Sequence, residues 1–69
     1  MRIYNRTNIP ETVAVAAASF VVKHKPDPRI VAEKISDSLY YISMSSYPTL
    51  KLEIGEDKDV IITLIKDDE

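Results

Sequence analysis

Cysteine is absent from this 69-residue chain, and histidine and glycine each occur once. Without cysteine there is no disulfide and no thiolate metal site, and a single histidine supplies no second imidazole ligand. The sequence also lacks a Gly-rich phosphate loop, a zinc-protease His pair and a serine-hydrolase elbow. We therefore expect no cofactor, no metal site and no enzymatic activity.

The chain is also short, so we expect residues 1–69 to form a single domain with one hydrophobic core. A domain of this size buries only about 60% of the surface that its unfolded chain exposes. Small folds usually gain further stability from disulfides, metals or another subunit, and only the last is open to this chain. We expect a homodimer or a module that docks on a larger protein partner.

No long hydrophobic run is present. The longest one, Val13 to Val22, is interrupted by Ser19 and is far shorter than the roughly 20 residues that cross a bilayer. The first residues do not show the pattern of a secretory signal. We therefore expect a cytoplasmic protein with no membrane partner.

Charge is distributed unevenly along the chain. Residues 1–34 contain six basic and three acidic side chains, whereas residues 35–69 contain three basic and eight acidic ones. The halves thus carry +3 and −5 within a net charge of −2. This asymmetry bears on partner choice and solubility and not on the fold.

The first apolar segment favours a helix. Asn8 and Glu11 are spaced as a capping box, and Pro10 suits a first helical turn. The residues that recur at helical spacing are Val13, Ala16, Ala17, Phe20, Val21 and His24. The valine content leaves a strand as the alternative over residues 12–22, but the alanines and the cap favour a largely buried helix.

A second helix is predicted after Pro26-Asp27-Pro28, because proline disfavours helix in the residue before it. Asp27 would cap this helix, with Pro28 at its first position. Its inner stripe would contain Val31, Ala32, Ile35, Leu39 and Ile42. Arg29 and Glu33 would form a surface pair one turn apart.

The remaining sequence predicts a hairpin. Leu50, Leu52 and Ile54 alternate with Lys51 and Glu53, which predicts a strand. Gly55 to Asp59 would form the turn, and Val60 to Ile65 would form a central strand. A central strand needs a second neighbour, which Arg2 to Asn5 would supply. The predicted fold class is α+β, with two layers: two helices on one face of a small, mostly antiparallel sheet in the order β-α-α-β-β.

Two sets of polar residues were weighed as chemical sites. Asp27 lies three residues after His24 and would be placed to orient it, but a histidine at a helix C-terminus is the simpler interpretation. The carboxylates of residues 56–59 and 67–69 flank opposite ends of one strand, roughly 20 Å apart. We therefore expect two solvated acidic clusters and no cation site.

An alternative function is nucleic-acid binding. Lys23, Lys25 and Arg29 would surround the start of the second helix, where exposed amides attract anions. The helix, turn, helix and hairpin order resembles a winged-helix unit in topology. Pro-Asp-Pro replaces its glycine turn, and an acidic wing with Glu56 and Asp57 would repel phosphates, so a nucleic-acid partner is the weaker hypothesis.

Protein binding is the preferred function. The predicted partner-binding residues are the cluster Tyr40, Tyr41, Met44 and Tyr47 and the outer-face pair Ile61 and Ile65. Aromatic residues and methionine are enriched at interfaces, and two isoleucines on an outer sheet face need a cover. We expect a non-enzymatic binding module that acts as an inhibitor, an antitoxin-like factor or an accessory factor.

Overall fold

In a computed structural model, which describes residues 1–65, a single helix lies across one mixed sheet. The elements in chain order are β1 (Ile3–Asn5), α1 (Glu11–Val22), β2 (Ile30–Ser36), β3 (Leu39–Met44), β4 (Tyr47–Ile54) and β5 (Val60–Leu64). The strand order is β1-β5-β4-β3-β2. Strands β2 to β5 form an antiparallel meander, and β1 pairs in parallel with β5.

The predicted fold class is wrong in its count of helices, because the segment expected to form the second helix is the hairpin β2–β3. Isoleucine, valine and tyrosine are frequent in this segment. These types lose side-chain freedom in a helix and suit a pleated sheet. Asp37 and Ser38 connect the strands between the paired residues Ser36 and Leu39. The hairpin gives β4 partners on both sides, which the two-helix arrangement did not.

Asp27 does not cap a helix, and Arg29 does not pair with Glu33. The Ile30 amide donates to the Asp27 carbonyl over 3.1 Å, which closes a turn with Pro28 inside it. Glu33 instead lies opposite Tyr41 in the β2–β3 ladder. The same proline that fits a helix start also fits this turn, so the residue type alone does not separate the two structures.

The helix expected over residues 12–22 is confirmed as α1, but its predicted cap is not. Asn8 makes no capping contact, and Pro10 occupies the cap position with no side-chain hydrogen bond. Asn5 instead organises the connection from β1: its Oδ1 accepts the Thr7 amide over 3.0 Å, and its Nδ2 donates to the Ile9 carbonyl over 3.0 Å.

Only one side of α1 is buried, which corrects the prediction of a largely buried helix. The buried positions are Ala14, Ala17, Ala18 and Val21, while Val15 is 42% exposed. The 12 residues span about 18 Å, close to the width of four inter-strand spacings, about 19 Å. The helix therefore reaches from the β1 edge to the β2 edge and contacts both strands.

The hydrophobic core lies between α1 and the sheet. Its largest fully buried side chains are Ile42, Leu50, Leu52, Val60 and Ile62. They come from the three middle strands, and small alanine side chains on α1 let the helix backbone approach them. The C-terminal hairpin and the strand at residues 3–5 are confirmed, with β5 between β4 and β1.

Candidate docking surface

The sheet has a second face, opposite α1, which no element within residues 1–65 covers. We call it the open face. Cross-strand partners lie on the same face of a sheet, so the ladder registers define two rows on it. The first row is Tyr4, Ile61, Glu53 and Leu39. The second row is Thr63, Lys51, Tyr41 and Glu33.

Apolar side chains on the open face are unusually exposed for their size. Val31 lies two residues before Glu33 on β2 and is 68% exposed, and Tyr4 is 42% exposed. Ile35 lies beside these rows, at the register shift between Lys34 and Ser36, and is 46% exposed. An ordinary antiparallel sheet presents polar residues on its solvated side. The open face therefore contains more apolar surface than a sheet face bordered by water requires.

One ion pair lies near the middle of the open face. Lys51 and Glu53 alternate on β4, the central strand, with 3.9 Å between Lys51 Nζ and Glu53 Oε1. Their side chains remain 38% and 52% exposed. The pair is flanked on β3 by Tyr41 and Leu39, so opposite charges are surrounded by apolar and aromatic groups.

Beside this pair lies a depression lined by Tyr41, Lys51, Thr63 and Ile65, among other residues. The Thr63 Oγ1 atom is buried there, and no hydrogen-bond partner for it lies within the described chain. A buried hydroxyl without a partner costs stability. The unpaired Thr63 hydroxyl therefore slightly destabilises the fold at the open face.

The sequence-predicted binding residues do not form one cluster. Tyr41, Ile61 and Ile65 follow the alternation that places them on the open face. Tyr40 and Met44 instead pack against the core beneath α1. Tyr47 begins β4 after the two-residue turn and is 36% exposed.

Three exposed apolar residues of the open face were missed by the sequence-based prediction: Tyr4, Val31 and Ile35. Residues 31–35, Val-Ala-Glu-Lys-Ile, show no strict alternation of apolar and polar residues, so no local pattern identifies Val31 and Ile35 as part of a strand face. They were instead assigned to the predicted second helix, where Val31 and Ile35 fall one turn apart on an inner stripe. An incorrect secondary structure thus hid part of the surface.

The second helix, whose first turn was expected to form the anion site at Lys23, Lys25 and Arg29, is replaced by strand β2. Lys23 and Lys25 follow the C-terminus of α1, where the helix dipole is negative, and no second helix supplies free amides within residues 1–65. Arg29 is held by Asp27: its Nε lies 3.0 Å from Oδ1 and its Nη2 lies 2.9 Å from Oδ2. The helix, turn, helix and hairpin order of a winged-helix unit does not occur within residues 1–65.

The neighbouring Arg29 lowers the pKa of Asp27. Hydrogen bonds from the Arg29 side chain, followed by the bond from the Arg29 amide, lower the pKa of Asp27 to about 2. The carboxylate is thereby occupied and does not orient His24. His24 lies just beyond the helix end with a left-handed backbone, φ 55°.

The acidic clusters were also considered as cation sites. Glu56, Asp57 and Asp59 lie in the β4–β5 connection, where Asp59 Oδ1 accepts the Arg2 amide over 3.2 Å. Asp67, Asp68 and Glu69 lie outside the described residues. Among residues 1–65, no group of three or more side chains suits a metal ion.

Comparisons with protein-family models, curated proteins and solved structures returned no match. In the part of the chain that the structure describes, no helix has the length and apolar character needed to cross a membrane.

Proposed function

We propose that this chain is a small non-enzymatic protein-binding module that docks through the open face. The observation that carries the proposal is the exposure of Val31, Ile35 and Tyr4 on a sheet face that α1 leaves uncovered. Burying a large apolar side chain contributes about 1.5–3 kcal/mol. Inhibitors, antitoxin-like factors and accessory factors all act by docking of this kind.

The free energy gained by burying these apolar side chains indicates how much of the open face a partner has to cover. Association costs roughly 4–15 kcal/mol in lost translational and rotational freedom. Three apolar side chains alone offset little more than the lower part of that range. A stable complex therefore needs contacts across the two rows as well, including Tyr41 and the Lys51–Glu53 pair.

A matched pair of variants tests the proposal. Val31→Glu changes the open face, and Val15→Glu makes the same change on the solvent side of α1, where the exposure is 42%. Affinity capture from source-cell lysate identifies a partner, and the complex is then rebuilt from purified proteins and its dissociation constant measured. We expect at least a tenfold weaker complex for Val31→Glu and an unchanged one for Val15→Glu.

Two results would contradict the proposal. One is a partner that binds Val31→Glu normally and fails to bind Val15→Glu, which would assign docking to the helix. The other is a nucleic acid that copurifies with the wild type and whose affinity falls steeply with salt, since protein docking through the open face predicts neither.

A further inference from the structure

We propose that the occupant of the open face is a second copy of this chain, stacked face to face so that Lys51 of each copy meets Glu53 of the other. This inference rests on the proposed function and specifies its partner. It follows from the placement of opposite charges on one strand at the centre of the sheet.

Symmetry selects the orientation. A two-fold axis that lies between two stacked sheets, perpendicular to β4 and level with Leu52, exchanges positions 51 and 53. Each lysine then faces a glutamate, as an isologous interface requires. An axis parallel to β4 and passing over that strand would instead place Lys51 opposite Lys51, and like charges across an interface are unfavourable.

The same axis also fixes which flanking residues of the two copies face each other. Leu39 and Tyr41 lie level with Glu53 and Lys51 on β3, so Leu39 of one copy faces Tyr41 of the other. On β5, Ile61 and Thr63 are related in the same way. Two stacked sheets lie about 10 Å apart, a separation that side chains from both faces fill.

The free edge of β2 is a less suitable site for a second copy. Antiparallel self-pairing centred on Glu33 would place that carboxylate opposite itself, and pairing centred on Lys34 would do the same with two ammonium groups. The ladder register also shifts between Lys34 and Ser36. Charges and irregularities of this kind protect edge strands from pairing.

The size of the face predicts a weak complex. Five strands about 4.8 Å apart and about five residues at 3.3 Å give a flat area of about 400 Å² per copy. Both copies together thus cover about 800 Å² before side-chain relief is added. Stable interfaces bury about 1,200–2,000 Å², and smaller ones are weak or transient, so we expect a weak, reversible dimer.

Charge reversal combined with analytical ultracentrifugation tests the arrangement. Lys51→Glu places negative charge at both central positions, and Glu53→Lys places positive charge at both. Each single variant should be monomeric alone, at least tenfold weaker than the wild type, whereas an equimolar mixture should form a heterodimer. The double variant, Lys51→Glu with Glu53→Lys, should dimerise as the wild type does. Circular dichroism melts of every variant verify the fold.

A wild type that stays monomeric up to several hundred micromolar would overturn the inference, as would a mixture of the two single variants that does not associate. If the chain does not self-associate but Val31→Glu abolishes its binding to a different protein, the proposed function stands and only the identity of the partner is wrong. If Val31→Glu also binds every partner normally, the proposed function fails as well. Self-association that persists in both single variants would place the dimer interface elsewhere.

Discussion

Replacing Ala17 with leucine tests the packing of α1 on the sheet. Ala17 is fully buried, and the helix backbone is held close to the sheet by alanines at this and neighbouring positions. A leucine there adds three carbon atoms, and the close contact between helix and sheet leaves no space for them. Overpacking of this kind typically costs 1–3 kcal/mol, so we expect the free energy of unfolding to fall by about 2 kcal/mol.

That loss is large for a chain of this length. At roughly 0.05–0.15 kcal/mol per residue, the whole domain has a stability of about 3.5–10 kcal/mol. In a domain of 60–100 residues, 1 kcal/mol changes the melting temperature by about 4–8 °C. We therefore expect Ala17→Leu to melt about 8–16 °C below the wild type, measured by circular dichroism and by urea unfolding.

Ala16 provides the control, because it lies one residue away on the same helix and lines a surface groove with Thr12 and Ser19. Leucine and alanine have similar helix propensities, so Ala16→Leu should change stability by no more than about 0.5 kcal/mol. Equal losses at both positions, or no loss at Ala17, would refute the packing of α1 described here.

Three further changes have defined outcomes. Arg29 lowers the pKa of Asp27 in the folded state to about 2, so the ionised Asp27 stabilises the fold above about pH 4, and this contribution is lost as the pH falls towards 2. Asp27→Asn should remove this pH-dependent contribution; acid-unfolding curves that run parallel for the wild type and the variant would contradict this. Thr63→Val should raise the free energy of unfolding by about 1 kcal/mol, since it removes an unpaired buried hydroxyl, and Thr63→Ser should show no such gain. Lys58→Gly should raise the free energy of unfolding by about 0.5–1 kcal/mol, because Lys58 has a left-handed φ of 65°. Gly55→Ala should be tolerated, because the φ of Gly55 is not left-handed and an added Cβ would make only ordinary contacts.

The parts of the fold that the sequence predicted are those in which period and turn chemistry agree. Leu50, Leu52 and Ile54 alternate with charged residues, and their assignment to a strand holds in β4. The placement of residues 3–5 beside the last strand also holds, because a strand that is apolar on both faces needs two neighbours. The alanine-rich segment is α1, as its composition predicts.

The second helix shows where pattern reasoning fails. Val31, Ile35, Leu39 and Ile42 recur at three- and four-residue intervals, so a helical stripe fits them, but Ile30, Ala32, Tyr40 and Ile42 fit a strand hairpin equally well. Sheet completion decides between the two, and that is a tertiary effect that no local window contains. The prediction of the docking surface suffered from the same ambiguity, since Val31 and Ile35, two of its three exposed apolar residues, lie on β2.

The pairing of β1 with β5 joins the first and the last strand of the described residues, and it affects the order in which the strands can pair. Ile3 pairs with Val60 and Asn5 with Ile62, so the first strand has no ladder partner until residues 60–62 are in place. Strands β2 to β5 form local hairpins and can pair early, whereas closing β1 onto β5 bears the entropy of the longest loop. Pulse-labelled hydrogen exchange would show this as late protection of residues 3–5. A chain truncated before Val60 therefore leaves β1 without its ladder partner and removes Val60 and Ile62 from the core beneath α1.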